Sequence, residues 1–175
     1  MFWFTADTHF NHNNIRKYCN RPFDSVHHMD EEIIRRWNER VKPYDAVIHL
    51  GDFGFLRGER NQEYYLSQLN GNLVLLEGNH DNRNSVKSIM QSLVINFGQL
   101  DWWCQHYPSY LYPQNLCGHV HNKWKIEKQF GRVCVNVGVD VWDFRPVNMQ
   151  EIMREMGEPY QKRCRYATNF VEQKN

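Results

Sequence analysis

Five short polar segments each stand at or beside the end of an apolar run: Asp7-Thr8-His9, Gly51-Asp52, Gly78-Asn79-His80-Asp81, His106-Tyr107-Pro108 and Gly118-His119-Val120-His121. Between them they offer enough carboxylate, amide and imidazole groups to hold two metal ions. Imidazole and carboxylate suit zinc, manganese, iron or nickel, so a mixed nitrogen and oxygen set points to a transition-metal site rather than to calcium or a thiolate zinc finger. Any one segment occurs by chance in many chains, and the weight rests on the ordered set.

Two adjacent divalent ions need several ligands each, an anionic group between them to offset their repulsion, and open positions for water and substrate. Asp52 is the natural bridge, because it follows the apolar Ile48-His49-Leu50 through Gly51, which lets the backbone turn without a side chain crowding the ions. Asp7 and His9 lie two apart, on one side of an extended chain, as do His119 and His121. Asn79 offers a neutral carbonyl oxygen, and His106 a further nitrogen.

The elements that must position these groups read as an α/β chain. Segments 1–6, 46–50 and 73–76 are short apolar runs, each followed by a polar motif, as buried strands feeding site loops would be. From Met29 the apolar Ile33, Ile34, Trp37 and Val41 recur at helical spacing, with Asp30, Glu31 and Glu32 in an expected first turn and Pro43 as the stop. A shorter helix is predicted over 61–69. After about residue 93 the pattern becomes β-rich, with strands at 94–97, 101–105, 115–117, 124–130 and 133–139 and a tight turn at Phe130-Gly131-Arg132. Residues 146–156 are weakly helical, and 157–175 read as a polar tail of the same domain.

A chain of 175 residues with a formal charge of +1 fits one domain with an adequate core, so a metal is free to be catalytic, and shows no basic excess of a general nucleic-acid binder. Cys19, Cys104, Cys117, Cys134 and Cys164 are odd in number and never in C-x-x-C, which indicates neither a disulfide framework nor a thiolate zinc site. With no signal-peptide pattern and no membrane-length apolar stretch, the expected location is the cytoplasm.

The motifs D-x-H, G-D, G-N-H-[DE], H and G-H-x-H, present here in order over residues 7–121, resemble those of the calcineurin-like metallophosphoesterase superfamily. Asn136-Val137-Gly138 and Pro146 resemble the closing strand of its small bacterial and phage-type members. The resemblance implies a four-layer αββα sandwich of two mixed β-sheets over residues 1–156. It also implies that Asp7, His9, Asp52 and His121 hold one ion, that Asp52, Asn79, His106 and His119 hold the other, and that His80 is a catalytic histidine outside the ligand set. Two ions about 3.5–4 Å apart lower the pKa of a bridging water and neutralise phosphate oxygens, while His80 stabilises or protonates the leaving oxygen. Gly51-Asp52 runs into Phe53-Gly54-Phe55, without the longer segment of protein serine/threonine phosphatases, and the interval from His80 to His106 leaves no room for a cap domain.

The expected function is therefore metal-dependent phosphoester hydrolysis, with a phosphodiester preferred, a phosphomonoesterase on nucleotides or small metabolites as the rival, and a non-catalytic metal-bound scaffold as the rival of another class. The expected cofactors are two divalent transition-metal ions, manganese supporting activity in vitro. The substrate is a phosphate ester, with nucleotide and nucleic acid left open, and the oligomeric state is not legible. Arg21 reads either as a planar fork for phosphate or as a surface arginine, and His12 as a neighbour of the ligands, a substrate-facing group or an exposed side chain. Asn14 reads as a helix cap, His49 as a packed histidine bonded to backbone, and His27 and His28 as surface residues. Trp102, Trp103, Trp124 and Trp142 are expected in the core rather than as a base-stacking platform, and Lys162, Arg163 and Arg165 on a solvated face.

Overall fold

Strands β1 (Phe2–Thr5), β2 (Ala46–His49) and β3 (Asn72–Leu75) pair in parallel, and β1 also takes a short antiparallel partner that follows the β-rich second half. These belong to a computed structural model that describes residues 1–81 and 87–157. The second half supplies β4 (Ser92–Phe97), β5 (Leu100–Gln105), β6 (Gln114–Cys117), β7 (Ile126–Gln129) and β8 (Arg132–Asn136). They form a second mixed sheet in the order β4-β5-β6-β8-β7, in which β5, β6 and β8 are parallel and the edge strands antiparallel. The β7–β8 turn is the two residues Phe130 and Gly131, at φ 53° and 72°, the positive pair that a tight hairpin requires.

The sheets pack face to face. Phe4, Ala6, Ile48, Leu50 and Leu76 from the first meet Trp102, Cys104, Leu116, Val133 and Val135 from the second in one buried cluster. Helix α2 (Val26–Arg40) covers the outer face of the first sheet through Met29, Ile33 and Trp37, and the shorter α3 (Gln62–Leu66) adds Tyr65. On the outer face of the second sheet, loop 107–113 lays Tyr112 on Trp103 with ring centroids 3.8 Å apart, and the backbone N–H of Ser109 donates to Asn115.

The expected α/β architecture of two mixed sheets with helices is present, with local corrections. Helix α2 starts three residues before Met29 because the Ser25 side chain accepts from the backbone N–H of His28, so Asp30, Glu31 and Glu32 fall beyond the first turn. Glu32 instead pairs with Arg35 and Arg36 along the exposed face. The span 146–156 divides: Val147–Asn148 forms β9, the short partner of β1, and α4 (Met149–Met156) begins at an Asn148–Glu151 capping box. Asn14 stands at the N-terminal boundary of α1 (Ile15–Tyr18), but its side chain makes no capping bond. The tail expected over 157–175, with Cys164, Lys162, Arg163 and Arg165, lies beyond Gly157 and outside the described residues. Among the described residues no helix is long and apolar enough to cross a membrane.

Trp102 and Trp142 join the core between the sheets, whereas Trp103 faces outward and Trp124 is half-buried. Trp102 is fully buried, and truncating it leaves a void that the rigid sheets on either side cannot close. Trp102→Ala is expected to lower unfolding free energy by roughly 3–5 kcal/mol in urea denaturation.

Candidate active site

Every residue of the ordered polar set emerges from the C-terminal end of a strand, and all gather at one end of the sandwich. Asp7 and His9 follow β1, Asp52 follows β2, Asn79 follows β3, His106 follows β5, and His119 and His121 follow β6. The chain does not leave these strands extended. Asp7, His9, Asp52, His119 and His121 have φ of 56°, 50°, 59°, 67° and 48°. Left-handed backbone at a non-glycine residue costs of order 1–3 kcal/mol and persists only where its surroundings impose it. The two-residue spacing therefore does not work through an extended chain: Asp7 and His9 converge because both turn, and His119 and His121 are directed to different parts of the site.

What imposes those turns is a lattice of backbone bonds. The N–H groups of Asp7, His9 and Phe10 donate to the carbonyls of Gly51, Asp52 and Phe53, which locks the first two site loops together. The Asp81 carboxylate accepts from the N–H groups of Asp52, Phe53 and Gly78 at 2.7, 2.9 and 2.8 Å, tying in the third. The approach is close enough to demand glycine at positions 51 and 78. A Cβ on Gly51 would lie 2.6 Å from Gly78 and 2.8 Å from His106 Nδ1, and one on Gly78 would lie 2.3 Å from both the nitrogen and Oδ1 of Asp52.

The side chains form two groups that share Asp7, with Asp52 in one and beside the other. Ligand atoms of Asp7, His9 and His121 lie within 4.8 Å of one another, as do those of Asp7, Asp52 and His106. Asp52 Oδ2 stands 3.5 Å from His9 Nε2 and 3.4 Å from His106 Nε2, between the two groups. Asn79 Oδ1 lies 2.9 Å from His106 Nε2 and 3.0 Å from His119 Nδ1, which completes the second. The outer hydrogen bonds select tautomers. His106 Nδ1 faces the Leu50 carbonyl at 2.8 Å and His121 Nδ1 faces Asp140 Oδ2 at 2.9 Å, so each donates there, and Nε2 is the nitrogen a cation would take in place of its proton.

This donor set fits divalent cations. His9 Nε2 is buried with no hydrogen-bond partner, an orphan that a metal would satisfy. Burial pushes the Asp7 carboxyl up to about 6, against the pull of His106 and His121, so the site holds a carboxylate whose charge lacks compensation. Burial also acts on Asp52, but the hydrogen bond from His106 and the nearby His106 and His9 hold its carboxyl below the usual range. Burial drives His9 well below an ordinary imidazole, keeping it neutral as a ligand must be.

The family model for calcineurin-like phosphoesterases matches residues 1–149. The chain belongs to that family. An uncharacterized protein of the archaeon Methanocaldococcus jannaschii is 35% identical over 158 residues, covering 85% of this chain and 87% of its own. A crystal structure of a protein of unknown function from Aquifex aeolicus superposes with a TM-score of 0.69 at 24% identity, over 87% of this chain and 97% of that one, a likeness of fold. Membership places the chain among phosphoester hydrolases and implies divalent metal ions at the carboxylate and imidazole cluster.

In this calcineurin-like phosphoesterase, the residues around the carboxylate and imidazole cluster correct several expectations. Arg21 is neither a phosphate fork nor a surface residue. Its guanidinium is buried, bonded twice to Asp140 at 2.7 and 2.9 Å and to the carbonyls of Asp7 and Thr8 at 2.7 and 2.9 Å, so it is unavailable to substrate. His12 is half-buried, its Nδ1 3.3 Å from His9 Nδ1 and its ring 4.0 Å from that of Phe55, which makes it both a neighbour of His9 and a wall of an adjoining cleft. His49 is packed, but its partner is the Thr8 hydroxyl at 3.0 Å rather than backbone; Thr8 in turn donates to the Phe53 carbonyl. His27 and His28 are exposed.

Asp140, in a single 3-10 turn at Val139–Val141, is the residue the sequence hid. Nearly buried, it joins His121 to Arg21, and Arg21 holds the backbone of Asp7. Asp140→Asn is expected to weaken metal binding by about 10–100-fold, the usual effect of removing a carboxylate behind a ligating histidine, measured by competition with a chromogenic chelator.

Proposed function

We propose that this chain is a phosphodiesterase working through two divalent transition-metal ions. Asp7, His9, Asp52 and His121 would hold one ion and Asp52, Asn79, His106 and His119 the other, with manganese able to support activity in vitro. Bound there, the ions supply an acidified water and neutralise phosphate oxygens. The observation that carries the reading is the position of Asp52, whose Oδ2 lies about equally far from His9 and His106, while His80 stays outside both groups.

The chain's own contribution centres on His80. Its backbone N–H donates to Asp52 Oδ1 at 2.9 Å, which fixes the residue against the bridging carboxylate while leaving the imidazole exposed at the mouth. In hydrolysis of a diester, the oxygen of water bonds phosphorus and the bond from phosphorus to the leaving oxygen breaks. That oxygen keeps the electron pair and takes a proton from His80, and the proton lost by the attacking water restores the imidazole. A phosphate monoester and an alcohol result.

Purified protein with added manganese, assayed on chromogenic mono- and diesters, tests the reading. Turnover of diesters supports it, turnover of monoesters alone gives the phosphomonoesterase, and hydrolysis of neither gives the scaffold. Anomalous scattering from manganese-soaked crystals should count two ions, and a single ion would reject the paired centre.

A further inference from the structure

Two clefts adjoin the centre, one lined by Asn79 and His106 and the other by His9 and His121. They differ in character. The first is bordered by Glu77, Gln91 and Gln105 and is polar. The second, of about 280 Å³, has Ile15 and Val120 as apolar lining, Tyr18 as an aromatic wall and Lys123 as a cation beside them. Its two sides are tied together by Asn122 Nδ2, which donates to the Cys19 carbonyl at 3.0 Å.

His80 lines the second cleft and not the first. A group that protonates the leaving oxygen must sit beside the leaving arm, so the arm that departs lies in the second cleft. Tyr18 is 73% exposed although its aromatic neighbours are few, its ring centroid lying 6.5 Å from that of His12. An uncovered aromatic face beside apolar side chains, with an amide and a cation close by, matches a planar base carried on a polar sugar.

We propose that the cleft formed by Ile15, Tyr18, Val120 and Lys123 is the subsite for the leaving nucleoside of a phosphodiester, with Tyr18 as its stacking wall. This rests on the phosphoesterase reading above and adds its substrate class. The polar cleft takes the arm that stays on phosphorus, so hydrolysis releases a free nucleoside hydroxyl from the Tyr18 side.

The test compares manganese-loaded wild type, Tyr18→Ala and Tyr18→Phe on thymidylyl-thymidine and on the methyl ester of thymidine 5′-phosphate, with products separated by chromatography. Tyr18→Ala should raise KM for the dinucleotide about tenfold or more, as loss of one base stack does, with kcat little changed and Tyr18→Phe restoring wild-type KM. The methyl ester, which lacks a leaving base, should not distinguish the variants. Saturation-transfer NMR should show thymidine bound by wild type and not by Tyr18→Ala. Equal KM values and equal thymidine binding in a protein that still cleaves diesters would overturn the subsite alone. Absence of hydrolysis of any ester would overturn the phosphoesterase reading and the subsite with it.

Discussion

Asp52→Asn is expected to lower kcat on a diester by on the order of a thousandfold or more, and to leave fewer than two metal ions bound per chain. Asparagine matches aspartate in size and keeps an oxygen to accept the His80 N–H, so the backbone lattice around it persists. What disappears is the negative charge between His9 and His106, and with it the group proposed to offset repulsion between neighbouring cations. Substitution of a proposed ligand belonging to one group only, such as His121, should leave the other ion bound. Metal analysis by inductively coupled plasma alongside steady-state kinetics would separate these cases, and an Asp52→Asn variant holding two ions with full turnover would remove Asp52 from its bridging place.

His80→Ala should give the converse result: two ions retained, metal affinity near that of the parent, and kcat reduced by about 10²–10⁴-fold, the range that general acid catalysis contributes. The bond from residue 80 to Asp52 is made by the backbone and survives in alanine. The loss should be greatest for substrates with poorly departing alkoxides and small for nitrophenolate, which needs no proton to leave. If metal content falls together with turnover, the imidazole is a ligand and the assignment of its role is wrong.

The residues of this site are legible because each stands where an apolar run stops, and a strand end is where a polar side chain can be exposed without breaking a sheet. The reason they converge is not legible. Asp7 and His9 read as residues of an extended chain, yet the left-handed turns that aim them depend on carbonyls of Gly51 and Asp52 more than forty positions away. Asp140 gives no signal, since Val139-Asp140-Val141 resembles any buried segment interrupted by one charge, and its partner Arg21 is far upstream. Ser25 caps α2 earlier than apolar spacing alone suggests, and β9 is too short for periodicity to mark. Apolar alternation does predict the second sheet, because its inner face is buried along most of its strands.

Asp7, His9, Asp52 and Asn79 grow from one sheet, and His106, His119 and His121 from the other. Cations held among them would bridge the two halves of the core, so their binding energy becomes resistance to prying the sandwich open. Chelation should then act as a mild denaturant. Differential scanning calorimetry should show a melting temperature that climbs with free manganese, the gain reaching about 2.7 kcal/mol at a concentration one hundred times the dissociation constant. The same seam couples turnover to endurance, since a variant that releases its ions becomes inactive and more easily melted at once.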